Sequence, residues 1–311
     1  MKIYTKVFIC LTILFILCIL YNLVKIIKPV NQNVLENFTD KTRQFYTKFN
    51  KLENKLNSME PTTFQFPCPV YYINLDSDID KLKFIQNQID YYKCNVNVHR
   101  ISGIDARKSK PTLLQFGKYS YPIQSNLTLT NPEMGCLLSH IKAILTAYYN
   151  GDDYAIILEN DAYFKHARLW KTNLQDIMSD APPDWNLLNL YSSSICCGDL
   201  FNNETYVKHS PSNKCFLASS YIINRQGMYN VLQAINFVPN QQNTIQLFTN
   251  NVNDYHGADE LLFQWAGNTY FVKPSTFFVY NDSNKMKTSI QSDTDLQNQL
   301  TNASYVLNQY L

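Results

Sequence analysis

The sequence predicts one α/β domain on a mixed, mainly parallel sheet, set behind an apolar N-terminal segment. Three observations carry this. Tyr154–Leu158 (YAIIL) is an unbroken apolar run, as a strand buried on both faces requires. Val70–Leu75, Asp80–Tyr92 and Val96–Ile101 read as strand, helix and strand, a βαβ unit. Val7–Val24 is uncharged and interrupted only by Thr12 and Asn22.

From the N-terminus, those eighteen residues would span about 27 Å as a helix, close to the hydrocarbon thickness of a bilayer. Leu20–Val24 lacks the small-x-small pattern of a cleavage site, so the segment reads as an uncleaved signal anchor over residues 1–30. Lysines at 2, 6, 25 and 28 flank both ends, so charge does not set the orientation. Sequons at Asn37, Asn126, Asn203, Asn281 and Asn302 favour a C-terminal portion in a secretory lumen, a single-pass type II arrangement. The membrane would be endoplasmic reticulum or Golgi in a eukaryotic or viral setting and the inner membrane in a bacterial one. A formal charge of +2 with no basic aromatic run excludes nucleic acid as a partner. Of eight cysteines none forms a CxxC pair, which argues against a closed structural zinc site.

Residues 31–66 form a stem. Leu35, Phe38, Thr42, Phe45, Phe49, Leu52, Leu56 and Met59 are spaced alternately three and four apart, an a/d series. It suits either a short coiled coil that would make a homodimer, or an amphipathic helix lying on the domain or on lipid. Residues 67–311 form the domain. After Ile101 comes a loop-rich stretch, then a helix opened by a capping box, Thr130 with Glu133, and by Pro132 in the first turn. Met134, Leu137, Leu138, Ile141, Leu145 and Tyr148 form its apolar face, and Asn150-Gly151 ends it. Later strands fall at Trp185–Leu190 and Phe216–Ile223, and helices at Gln226–Ile235 and Ala258–Trp265.

The chemistry concentrates where Tyr154–Leu158 stops, at Glu159-Asn160-Asp161. Ligands of open α/β sheets bind outside the carboxyl ends of the strands. Two carboxylates two residues apart point the same way in extended backbone and suit a hard divalent cation with positions left for phosphate. A metal-assisted site for a nucleotide diphosphate follows.

Five motifs in order resemble glycosyltransferase family 25, which includes bacterial lipooligosaccharide and animal procollagen galactosyltransferases. Tyr72-Ile73-Asn74-Leu75-Asp76 looks like its opening I-N-L-D strand, and Ile104-Asp105-Ala106 like its short turn after the second strand. Glu133-Met134-Gly135-Cys136-Leu137-Leu138-Ser139-His140 is close to its E-x-G-C-x-x-S-H helix, the most specific of the five. Leu158-Glu159-Asn160-Asp161-Ala162-Tyr163-Phe164 looks like L-E-D-D-x-x-F, and Asp259-Glu260 with Leu261 and Leu262 resembles a late D-E-x-L element. Two positions depart from the pattern. The central acid of the metal motif is Asn160, and the basic R-x-x-D-R after the first strand is reduced to Ser77-Asp78-Ile79-Asp80-Lys81.

The resemblance implies a GT-A-type nucleotide-sugar-binding domain that transfers a hexose, galactose or glucose, from a uridine diphosphate sugar. The acceptor would be a hydroxyl of a glycan, a lipid-linked glycan or a protein. Mn2+ or Mg2+ would be held by Glu159 and Asp161. Asn74 and Asp76 would contact the base or ribose, and Lys81, Asp105, Ser139 and His140 would complete the donor contacts. The family inverts the anomeric centre, so one carboxylate base suffices: Asp259 ahead of Glu260, which as a first-turn acid is also explained by the helix dipole. His256 is either a further metal ligand or an ordinary loop histidine. His140 equally suits a buried structural role, and capping accounts for Glu133. Two alternatives remain: an inactive scaffold that binds a glycan or protein partner, and a nucleotidyltransferase or phosphohydrolase. Against the second, no glycine-rich phosphate loop is present among only eight glycines.

Overall fold

Strand β1 (Val70–Asn74) is buried along its whole length and is the hinge of the architecture. It is followed by helix α1 (Ile79–Tyr92) and strand β2 (Val98–Ser102), then the hairpin β3 (Leu113–Phe116) and β4 (Tyr119–Ser125). The long helix α2 (Asn131–Asn150) leads into β5 (Tyr154–Glu159) and the short β6 (Ala162–Tyr163). Helix α3 (Leu174–Asp180), β7 (Leu187–Asn189), β8 (Tyr206–Lys208), β9 (Ser220–Asn224) and helix α4 (Arg225–Ala234) come next. The chain continues through β10 (Ile245–Leu247), helix α5 (Ala258–Ala266), β11 (Thr269–Val272) and β12 (Phe278–Val279). This computed structural model describes residues 43–44, 47–52, 54–59, 65–92, 96–165, 167, 172–191, 205–210, 218–238, 243–248, 257–272 and 278–279. The expected membrane anchor, the first half of the heptad series, His256 and four of the sequons lie outside them. No helix among the described residues is long and apolar enough to cross a membrane.

Seven strands form the central sheet in the order β2-β1-β5-β9-β7-β11-β8. β1 is parallel to both β2 and β5, and β7 is parallel to β11. β9 runs antiparallel between β5 and β7, and β8 antiparallel on the edge of β11. Five of the seven strands therefore share one direction. Alternation along the strands divides the core. Tyr71, Ile73, Ala155, Ile157, Tyr221 and Ile223 pack with α2, α4 and α5 on one face. Val70, Tyr72, Ile156, Leu158 and Ile222 pack with residues of α1 and α3 on the other. β4 joins β3 and β10 in a second, three-stranded sheet, and β6 pairs with β12.

Helix α2 obeys its sequence signals. Thr130 caps it, with both arms of the box present, and Gly151 closes it in the left-handed region at φ 84°. Met134, Leu137, Leu138, Ile141 and Leu145 are fully buried, and so are Ala143, Ile144 and Ala147, so the helix is covered on more than one side.

Where the stem is described, it lies against the domain, as in the second of its two readings. Phe49, Leu52 and Leu56 are buried in the same cluster as Phe66, Tyr163 and Phe164. The Phe49 ring meets Tyr163 edge-on at 4.9 Å, and the Tyr91 hydroxyl donates to the Leu56 carbonyl at 3.4 Å. Over these residues the apolar face is covered by the domain itself and is not available as a seam between two chains. Each such side chain contributes roughly 1.5–3 kcal/mol by burial, so the core begins near residue 49.

Candidate active site

A cleft opens at the carboxyl ends of β1, β2 and β5. Its lining includes Asp78 and Lys81 from the start of α1, Asp105 and Arg107 from the loop after β2, and Cys136, Ser139 and His140 from α2. Glu159, Asn160 and Asp161 complete it from the end of β5. Parallel neighbours put these segments at one edge of the sheet, and α2 leans over them because residue 135 is glycine. A Cβ there would stand 2.6 Å from the Ile104 carbonyl oxygen and 2.9 Å from the Ala106 Cβ. Ser139 fixes the same junction: its hydroxyl accepts from the Ile104 N–H at 2.8 Å and donates to the Gly135 carbonyl at 2.6 Å.

The two acids of the central motif do not point the same way. Glu159 ends β5 and faces α2, where its Oε1 lies 3.2 Å from His140 Nε2 and 3.7 Å from Cys136 Sγ. The backbone then leaves the extended conformation in a turn at Asn160-Asp161. That turn breaks the alternation on which the parallel orientation depended and swings Asp161 toward α1, where Lys81 Nζ lies 3.3 Å from its Oδ2. Both still face the one cleft. Asn160 turns inward: its amide donates to Asn74 Oδ1 at 2.7 Å, while the Asn74 amide donates to the Leu75 carbonyl.

Electrostatics distinguish the acids. Burial raises the pKa of Asp161 above the usual carboxylate range, Lys81 opposing and Glu159 adding to the rise. Burial acts the same way on Glu159, but the hydrogen bond and charge of His140, with the charge of Lys81, outweigh it and hold its pKa below the ordinary value. For Lys81 burial disfavours the ammonium, yet Asp161 and Glu159 more than compensate and its pKa stands above normal. Asp105 is held at about 2, chiefly by the Arg107 guanidinium. Burial raises the Cys136 thiol well above its ordinary value, with Glu159 and Asp259 reinforcing it.

Of the residues singled out from sequence, Lys81, Asp105, Ser139, His140, Glu159 and Asp161 line the cleft. Asn74, Asp76, Asp259 and Glu260 do not. Asn74 is buried beneath it as the support of Asn160. Asp76 lies at the surface, paired with Arg100 and accepting from the Ser102 hydroxyl at 2.9 Å. Asp259 stands in the first turn of α5, near enough for its charge to act on Cys136 and Tyr221. Glu260 is buried. Arg107 and Tyr221 are the residues sequence reasoning passed over, and Cys136 entered it only as part of the helix motif. Cys136 and His140 are one turn apart, a visible signal. Arg107 follows the Ile104-Asp105-Ala106 turn and donates to Ser77 Oγ at 2.9 Å, restoring a cation where the basic motif is thinned. Tyr221 comes from β9 and had no local signal.

A hard divalent cation fits this donor set. Among the described residues Asp161 Oδ1 is buried with no hydrogen-bond partner, and the contacts of Glu159 to α2 converge on Oε1. The Glu159 side chain is 31 % exposed, toward the cleft.

A family model described as glycosyltransferase family 25 (LPS biosynthesis protein) matches residues 68–249, more than half of the chain. No curated protein matches the chain as a relative.

Proposed function

The chain belongs to glycosyltransferase family 25, and from that premise we propose that it transfers a hexose from a uridine diphosphate sugar to a hydroxyl acceptor with inversion, as a GT-A-type enzyme. The observation that carries the reading is the pairing at the strand ends: Asp161, buried with one oxygen unpartnered, beside the Lys81 ammonium. A buried polar atom left without a partner costs roughly 1–3 kcal/mol, which a ligand cation would recover. Glu159 and Asp161 are the residues to hold Mn2+ or Mg2+, which would neutralise charge on the leaving diphosphate.

The side chains divide the remaining work. Lys81 and Arg107 both line the cleft and would supply positive charge to the diphosphate. Asp161 keeps Lys81 charged and aimed inward. Asp259 is the candidate base. The acceptor oxygen attacks the anomeric carbon, the bond from that carbon to the diphosphate oxygen breaks, and the acceptor proton passes to the Asp259 carboxylate. Asn160 speaks against the inactive-scaffold reading, because its amide is engaged inward by Asn74 while both outer carboxylates remain on the cleft. A type II anchor would hold the enzyme at a membrane surface facing its acceptor.

Calorimetric titration of uridine diphosphate into the full chain, with and without Mn2+ and again in Asp161→Ala, tests the reading. We expect binding that needs the metal and weakens at least tenfold in the variant, about 1.4 kcal/mol. No binding, or binding indifferent to both Mn2+ and Asp161, would refute it.

A further inference from the structure

The donor reading leaves Cys136 without a task and uses His140 only loosely, yet the two converge with Glu159 into one nest. Cys136 and His140 stand one turn apart on the same face of α2, and Glu159 meets them from the last position of β5. The three donor atoms, one sulfur, one nitrogen and one oxygen, all lie within 4.8 Å of one another. Glu159 Oε1 is 3.2 Å from His140 Nε2 and 3.7 Å from Cys136 Sγ. Bonds of about 2.0–2.3 Å to a tetrahedral ion put neighbouring ligand atoms roughly 3.3–3.8 Å apart; the sulfur–oxygen edge falls in that range and the nitrogen–oxygen edge just below it.

The outer shell is also in place. His140 Nδ1 lies 3.1 Å from the hydroxyl of Tyr221, which is buried on β9. An imidazole that binds metal through Nε2 has its Nδ1–H directed at such a partner, which fixes ring and tautomer. The nest is closed on the protein side by α2 and β9 and open on the cleft side, where Glu159 is partly exposed. Three protein ligands with a fourth position facing a cleft is the pattern of an open site rather than a closed structural one.

We propose that Cys136, His140 and Glu159 form an open site for a thiophilic divalent cation of the Zn2+ class, separate from the hard-cation position at Asp161. Thiolate and imidazole select borderline-soft ions, whereas Mg2+ and Mn2+ favour all-oxygen shells. Binding exchanges one proton for the ion: the Cys136 S–H bond breaks, its proton leaves to solvent, and the thiolate sulfur bonds the metal. His140 would bind through Nε2, with its Nδ1 facing the Tyr221 oxygen 3.1 Å away. Glu159 is the residue common to both positions, giving Oε1 to this nest. The inference stands on the nest alone and does not depend on the sugar-transfer reading.

Co2+ is the probe. The full chain, stripped of metal, is titrated with Co2+ and followed in the near ultraviolet for thiolate-to-metal charge transfer, then back-titrated with Zn2+. We expect the band in the wild type, its loss in Cys136→Ser with at least a tenfold fall in Zn2+ affinity, and a comparable fall in His140→Gln. Asp161→Asn should keep both band and affinity, which separates this site from the one tested by uridine diphosphate. X-ray absorption of the Zn2+-loaded wild type gives a reading that needs no variant: one sulfur at about 2.3 Å among nitrogen and oxygen ligands. A shell without sulfur, a band undiminished in Cys136→Ser, or a band lost in Asp161→Asn would each overturn the proposal.

Discussion

Replacing Lys81 by methionine removes one charge and keeps most of the apolar stem, so its effect reports chiefly on the ion pair with Asp161, with a smaller part from Glu159. The two side chains are 12 % and 6 % exposed, and Nζ lies 3.3 Å from Oδ2. Removing one partner of a buried pair leaves the other uncompensated and costs about 3–5 kcal/mol. The lower end applies here because a single contact joins the pair, so we expect a loss of about 3 kcal/mol at neutral pH. For a domain of this size that corresponds to roughly 6–12 °C in Tm. The pH dependence is the sharper readout. Asp161 already has a folded pKa above its unfolded value, so the fold binds its proton more tightly and stability falls as pH rises through that titration. Without Lys81 the folded pKa climbs further, each added unit costing about 1.4 kcal/mol once the group must ionise. The deficit of Lys81→Met relative to wild type should therefore be small near pH 4 and grow toward pH 7. Thermal melts of both proteins across that range make the measurement. A deficit that is below about 0.5 kcal/mol, or that does not change with pH, would show that the pair does not form.

Three further outcomes are expected. Gly135→Ala sets a Cβ 2.6 Å from the Ile104 carbonyl; overpacking of this kind costs about 1–3 kcal/mol, and because it displaces the loop bearing Asp105 and Arg107 it should weaken uridine diphosphate binding as well as lower Tm. Phe49→Ala should cost about 3 kcal/mol in denaturant unfolding, since the ring is 7 % exposed and packs on Tyr163, whereas a stem free of the domain would show no change. Glu159 has a lowered folded pKa, so its stabilisation is present above the ordinary carboxylate range and is lost as pH falls through the folded value; Glu159→Gln should narrow its gap to wild type in acid melts and keep the full gap at pH 7.

The fold was legible where one local signal decides one element. Val70–Asn74 and Tyr154–Glu159 are read off unbroken apolar runs, and the capping box at Thr130 with Gly151 at the far end brackets α2. The second sheet was not legible. Leu113–Phe116 and Tyr119–Ser125 are a hairpin around Gly117 at φ 58°, but their burial is irregular and their partner β10 lies some 120 residues later. Their stability comes from rings that meet across long separations, such as Tyr121 and Phe237 at 4.8 Å, and no window of sequence contains that pairing. The stem shows the same limit. A spacing of three and four is equally correct for a coiled-coil seam and for one helix laid on a domain, and only the position of Tyr163 and Phe66 decides between them.

At the cleft the residue types were legible and their directions were not. Extended backbone would send Glu159 and Asp161 the same way, and the inference failed at one turn: Asn160 folds inward on Asn74, so the acids reach helices on opposite faces of the sheet. That separation gives the two carboxylates different chemistry. Burial drives the pKa of Asp161 up against the opposing charge of Lys81, whereas His140 and Lys81 outweigh burial at Glu159 and hold its pKa below the ordinary value. A motif of two acids in a row of three therefore holds two unlike carboxylates. Asparagine at the centre suits this, because its amide donates to the Asn74 oxygen, a bond that a carboxylate, having no donor when ionised, could not make to that atom.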